Sequence, residues 1–96
     1  MPRYILSPLA QNDIDEIWNY TAKNWDINQA ETYIRDLKTA IETVAANPKW
    51  GRSCEKIRSG YYKYPAGSHV IFFCLVDIGI DVKRILHERM DFERHL

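Results

Sequence analysis

The sequence predicts an α+β domain: an N-terminal strand and an antiparallel αα-hairpin packed on a three- to four-stranded antiparallel sheet, ending in a short C-terminal tail. Three observations carry that prediction. Residues 9–44 contain two amphipathic helical stripes separated by a very short break. Beyond residue 50 the hydrophobic period becomes that of strands, punctuated by Ser59-Gly60, Pro65-Ala66-Gly67 and Asp77-Ile78-Gly79. The 96 residues are nearly half hydrophobic, enough for one core without disulfides, so one domain spanning residues 1–96 is expected.

Taken in order, Arg3–Leu6 reads as a short strand. Ser7 is an N-cap, with Pro8 at the first helical position where its missing N–H costs nothing. Leu9, Ile14, Ile17, Trp18, Thr21 and Trp25 recur at three- and four-residue steps and predict a helix ending near Asn24. Asp26 or Asn28 can cap a second helix with the stripe Ala30, Tyr33, Ile34, Leu37, Ile41 and Val44, ended by Asn47-Pro48. The short connection makes the two helices antiparallel neighbours. A polar loop, 48–53, follows. Glu55–Arg58 reads as a short strand and Tyr61–Tyr64 as a second. His69–Val76 is a continuous apolar, β-branched and aromatic run, as a central strand buried on both faces requires. Ile80–His87 completes the sheet, and residues from Glu88 onward form a short helical turn or a loose tail.

Formal charge is zero, which argues against a simple polyanion binder, but the halves differ. Residues 1–48 carry four cations against seven acids, and residues 49–96 nine against six, so the chain is an electrical dipole with a basic C-terminal half. The N-terminus lacks the features of a secretory signal, and Val70–Val76 is too short to cross a membrane, so a cytoplasmic protein without membrane association is expected. Cys54 and Cys74 have no metal-ligand spacing; a reduced pair is expected, with Cys74 as a small buried hydrophobe. No combination of His, Cys and carboxylate has ligand spacing, so neither metal nor other cofactor is expected.

Several blocks carry a family resemblance. They are Tyr4-Ile5-Leu6-Ser7-Pro8-Leu9-Ala10, Asp15-Glu16-Ile17-Trp18, Asn47-Pro48, Gly51-Arg52, Gly67-Ser68-His69-Val70-Ile71-Phe72-Phe73 and Ile85-Leu86-His87-Glu88-Arg89-Met90-Asp91. Together, in this order and spacing, they resemble the ParE toxins of the RelE/ParE toxin–antitoxin superfamily. The resemblance implies the fold deduced above and a cytoplasmic toxin of a type II system. It also implies neutralisation by a ParD-like antitoxin, in a higher-order toxin–antitoxin hetero-oligomer, and poisoning of DNA gyrase, as the gyrase–DNA complex. The RelE branch instead cleaves messenger RNA on the ribosome. The two branches share a scaffold, so only residues can discriminate them.

An RNA-cleaving toxin needs a base, cations on the phosphate and an acid. Arg58, Arg84 and His87 are the candidates, with Lys63, Arg89, Arg94 and His95 nearby in sequence. Zero net charge and the acids Glu88, Asp91 and Glu93 weigh against that chemistry, since they repel phosphate. A non-catalytic poison is therefore expected, with Arg84, His87, Arg89, Met90, Arg94 and His95 as its target-binding surface. Structural readings stand beside the functional ones. Arg84 can pair with Asp81 or Asp91, His87 can satisfy a sheet-edge carbonyl or pair with Glu88, and His69 reads as a packed residue. Strand alternation puts Tyr62 and Tyr64 on one face and Tyr61 and Lys63 on the other, with one set under the helices. Trp18 and Trp25 lie seven apart on the first stripe, where core packing is the default; Trp50 sits in a loop, as a cap on the core or an anchor. Trp18, Trp25, Trp50 and Arg58 are the expected antitoxin contacts. The antitoxin segment is expected to be disordered alone and to fold over the hairpin and sheet.

Overall fold

The structure, a computed structural model, describes residues 3–96. Strand β1 (Tyr4–Leu6) passes directly into α1 (Pro8–Asn24) through Ser7. The Ser7 Oγ accepts from the Ala10 N–H at 3.2 Å, a cap worth about 1 kcal/mol. Helix α2 (Ile27–Ala46) begins at Asp26, whose carboxylate accepts from the Gln29 N–H at 2.7 Å, so Asp26 is the cap and Asn28 lies inside the helix. A 3-10 turn at Pro48–Trp50 leads to β2 (Arg52–Ser53), β3 (Tyr61–Ala66), β4 (His69–Val76), β5 (Gly79–His87) and a last turn of helix, α3 (Phe92–His95).

The sheet has five strands in the order β1-β5-β4-β3-β2, and it is mixed. β1 lies parallel to β5, with Tyr4 opposite Ile80 and Leu6 opposite Val82, while the other pairs are antiparallel. The expected three- to four-stranded antiparallel sheet is thus extended at both edges. Glu55–Arg58 is not a strand. The Ile57 and Arg58 N–H groups both donate to the Cys54 carbonyl, and the Glu55 carboxylate accepts from the Ser59 hydroxyl and the Gly60 N–H, which coils this segment into a turn. Arg52 and Ser53, separated from it by Cys54, take the pairing with β3. Pro65 lies within β3, beyond the reach of β2, where its missing N–H removes no ladder bond.

The middle of β4, Ile71–Phe73, is buried on both faces, while Leu75 and Val76 at its end are exposed. Ile71 and Phe73 face the hairpin with Ile80, Val82 and Ile85, against Ala10, Ile14, Leu37, Ile41 and Val44. Phe72 faces the other way with Leu86 and Cys54, and the tail covers them: Phe92 meets Phe72 edge to face at 4.9 Å, and Leu96 packs beside it. The tail is therefore a helical turn that closes a second core. Tyr62 and Tyr64 lie under the helices and Tyr61 on the far face, as alternation predicts. A β-bulge leaves Lys83 unmatched between the pairs Phe72–Arg84 and Phe73–Val82. The extra residue switches the face on which odd positions fall, so Val82 and Ile85 both point at the helices.

Two members of the first stripe are not core. Leu9 is 60 % exposed and Trp25 73 %. Trp25 stands at the C-cap of α1, with φ −126° and ψ −94°, so helical periodicity no longer directs its side chain. The buried line of α1 runs instead through Ala10, Asp13 and Ile14.

Gly79 opens β5 at φ +146°, where an added Cβ would overlap the Arg3 carbonyl, the acceptor of the Ile80 N–H. Gly79→Ala is predicted to weaken the β1–β5 pairing and cost about 2–4 kcal/mol in urea unfolding. Gly60→Ala, at φ +79° with nothing within 4 Å, should cost only about 1 kcal/mol.

Candidate functional site

β1 ends at Leu6, opposite Val82, and the Ser7 N–H and hydroxyl donate to the Val82 and Lys83 carbonyls, so the outer edge of β5 is uncovered by β1 only beyond Lys83. The Glu88 N–H donates to the Ser68 carbonyl, and antiparallel alternation then turns the main-chain groups of Ile85 and His87 away from β4, toward that open edge. Asp13 of α1 meets the first of them. Its carboxylate accepts from the Ile85 N–H at 2.9 Å and from Arg84 at 2.8 Å (Nε) and 2.9 Å (Nη2). Asp13 is 6 % exposed, and the Asp13 carboxylate pushes Arg84 further toward permanent charge. Arg84 also donates through Nη1 to the His95 carbonyl at 3.0 Å, tying the tail to the same point. The expected partners of Arg84, Asp81 and Asp91, are not used; Asp81 pairs with Lys83 at 2.9 Å.

Beyond this ion pair a groove of about 510 Å³ opens between the hairpin and the β5 edge. Glu16, Tyr20 and Trp25 form one wall, Gln29 and Tyr33 the end, and His69, His87 and Met90 the other side. Tyr20 is 67 % exposed, so the rim offers aromatic surface beside the Glu16 carboxylate, which accepts from the Asn12 amide but pairs with no cation among the described residues. Tyr33 reaches the groove because Gly67, at φ +61°, leaves room: a Cβ there would stand 2.8 Å from the phenol oxygen. That oxygen accepts from the Ser68 N–H at 3.0 Å and is hydrogen-bonded to His69 Nδ1 at 2.6 Å. His69 and His87 meet edge to face at 5.2 Å, and His87 Nδ1 accepts from the Arg89 N–H at 3.1 Å. His87 therefore organises its own turn and pairs with neither a sheet-edge carbonyl nor Glu88. Burial, with His87 second, holds the His69 imidazole below its ordinary value of 6.5, against the opposing pull of Asp13 and Glu88. Burial raises the Tyr33 phenol.

The residues singled out in the sequence fall into three places. Arg84, His87, Met90 and Trp25 line the groove. Arg89, Arg94 and His95 are exposed on the tail, on the outside of the turn whose Phe92 and Leu96 are packed inward. Arg58 lies over the Tyr61 ring at 5.4 Å on the face away from the helices, Trp18 is half-buried on α1, and Trp50 is 58 % exposed on the 3-10 turn. Arg58, Arg84 and His87 therefore do not converge on one site. Sequence reasoning missed Asp13, Glu16, Tyr20 and Tyr33. Asp13 carried a usable signal: it lies three residues after Ala10 and four before Ile17, on the apolar face, where a carboxylate needs a cation.

Residues 4–92 match the family model described as ParE toxin of type II toxin-antitoxin system, parDE. The chain is 52 % identical over 95 residues to Toxin ParE1 of Mycobacterium tuberculosis, covering 98 % of this chain and 97 % of the relative. It is 38 % identical over 96 residues to Toxin ParE1 of Caulobacter vibrioides, covering 100 % and 99 %. Among solved structures, the fold is similar to a chain of the chromosomal ParDE toxin–antitoxin system of P. aeruginosa, with TM-score 0.78, 19 % identity and coverage of 91 % and 96 %. It also matches a chain of the YoeB-YefM complex of Staphylococcus aureus, with TM-score 0.61, 14 % identity and coverage of 92 % and 98 %.

Two predictions follow from the groove wall. Asp13→Ala leaves Arg84 unpaired and the Ile85 N–H without an acceptor, and should cost about 3–5 kcal/mol in urea unfolding; a loss under 1 kcal/mol would show that the pair is not structural. For His69, the folded group binds its proton less readily than the unfolded chain does. Its contribution is thus fully present above pH 6.5 and declines as pH falls through 6.5 toward the lowered folded value. Unfolding free energy between pH 7.5 and 5.5 should therefore fall more for the native chain than for His69→Gln.

Proposed function

The chain belongs to the ParE toxin family of type II toxin–antitoxin systems, and from that premise we propose that it is a cytoplasmic toxin that poisons DNA gyrase without catalytic turnover. A ParD-like antitoxin neutralises it by filling the groove beside β5. The observation that carries the antitoxin assignment is the open edge itself. Ile85 offers a carbonyl and His87 an N–H to an added strand, between aromatic residues of α1 and Met90. A segment disordered alone gains main-chain hydrogen bonds along that edge and buries its apolar residues against Tyr20 and Trp25, while Glu16 receives a cation. Repetition of the pair then builds a toxin–antitoxin hetero-oligomer.

The gyrase-facing surface in this reading is the outer side of the tail, Arg89, Arg94 and His95, which the groove leaves free. Non-catalytic action is supported by the separation of Arg58 from His87 on opposite faces of the sheet. An RNase would need these groups around a single phosphate. In this reading the antitoxin contacts are Trp25, one of the expected set, and Tyr20; Trp18, Trp50 and Arg58 lie outside the groove lining.

Deleting residues 88–96 would strip Phe92 and Leu96 from the second core, so point substitutions test the tail better. Arg89→Glu with Arg94→Glu should abolish stabilisation of cleaved DNA by purified gyrase and relieve growth arrest, with antitoxin affinity unchanged. Tyr20→Arg should weaken antitoxin binding at least about tenfold, the loss of one buried anchor, and leave toxicity intact. Messenger RNA cleavage on translating ribosomes, with no effect on gyrase, would overturn the proposal.

A further inference from the structure

Zero net charge conceals a basic patch around β2 and β3, on the face of the sheet away from the helices. Residues 49–63 hold five cations, Lys49, Arg52, Lys56, Arg58 and Lys63, against the single acid Glu55. Three of the five share one face. Arg52 stands directly opposite Lys63 in the β2–β3 pair, which puts both side chains on the same side. Lys63 alternates with Tyr62, which is under the helices, so that side is the helix-free one. Tyr61 is on the same side, and Arg58 lies over its ring.

None of these cations has an acidic partner. Among the described residues, the ion pairs are Lys83–Asp81 and Arg84–Asp13. Glu55, the one acid within the segment, is turned into its own loop by the Ser59 hydroxyl and the Gly60 N–H. Like charges directly opposite on neighbouring strands destabilise a sheet. An unrelieved Arg52–Lys63 pair is thus a cost to folding that a bound anion would remove.

We propose that Arg52, Arg58 and Lys63 form a docking surface for the phosphate backbone of double-stranded DNA. The chemistry of the patch selects that partner. Its contacts are mainly charges, because Cys54 is buried, α3 covers Phe72 and Leu86, and the Tyr61 ring is taken by Arg58. A protein partner would need a buried aromatic or aliphatic hot spot there. Single-stranded nucleic acid would need free rings on which bases stack. A duplex presents only its paired rows of phosphates, which cations position without reading sequence. The surface lies on the opposite side of the sheet from the groove and does not depend on what fills the groove or on the target of the tail.

The test is fluorescence anisotropy of the full chain with a labelled mixed-sequence DNA duplex, alongside a single-stranded RNA of equal length. Three phosphate contacts predict a log–log salt slope of about −2.7, so that raising salt from about 50 to about 200 mM weakens binding ~40-fold. Lys63→Glu and Arg52→Glu should each weaken duplex binding at least about tenfold at the lower salt. Each should also leave the thermal midpoint equal or raised, because it replaces a like-charged cross-strand pair with an opposite one. Lys63→Gln, which removes the charge without reversing it, should give an intermediate loss and serves as the readout if a reversal fails to fold. The proposal is overturned if the duplex is not bound at the lower salt, if the substitutions leave affinity within about twofold, or if the RNA is bound more tightly than the duplex.

Discussion

The Asp13 carboxylate is the constraint on which the rest of this structure depends. β1 is only three residues long and gives way to α1 at Ser7, so β5 runs on beside empty space. A carboxylate on the buried side of α1 takes the place of the absent strand. It accepts the Ile85 N–H, and it holds the guanidinium of Arg84 in a bidentate pair. Through Arg84 it also reaches the His95 carbonyl. Helix hairpin, sheet edge and tail are thereby set in one frame by a single charged group, whose removal would leave a half-buried cation without its counter-charge and a buried donor without an acceptor.

That frame explains why the molecule presents three separate surfaces on so small a body. The groove exists because Asp13 satisfies the first open donor of β5 and leaves the next main-chain groups available. The tail is presented outward because Phe92 and Leu96 are needed inside, over Phe72 and Leu86, so that Arg89, Arg94 and His95 remain outside. The basic face exists because β2 pairs with β3 in a register that sets Arg52 against Lys63. The bulge at Lys83 joins these features. Without the extra residue, the alternation that puts Val82 under the hairpin would turn Ile85 away from it.

Local signals made most of the fold legible. Ser7-Pro8, Asp26 and Asn47-Pro48 set the helix ends, and the unbroken run His69–Val76 marked the central strand, of which Ile71–Phe73 are buried and Leu75 and Val76 exposed. Non-local events hid the rest. Glu55–Arg58 reads as a strand until Glu55 is seen to close a turn on Ser59 and Gly60. The parallel pairing of β1 with β5 joins residues far apart in the chain, and nothing in Tyr4–Leu6 specifies it. Trp25 satisfies a helical spacing that ends one residue before it. At the site, Arg84 and His87 were legible as chemistry at the end of the core, but their partners Asp13 and His69 came from other elements. The family resemblance, now shown by the match over residues 4–92, indicated the class and could not indicate which faces the residues occupy.

The central claim is that the open β5 edge beside Asp13 is where the antitoxin segment adds. Amide hydrogen exchange of the free chain and of its antitoxin complex, resolved at Ile85 and His87, tests it most directly. The account predicts an Ile85 amide already protected in the free chain by Asp13, and a His87 amide that exchanges rapidly until the antitoxin binds and slowly thereafter. A His87 amide whose exchange is unchanged in the complex, with new protection on the helix-free face instead, would contradict it.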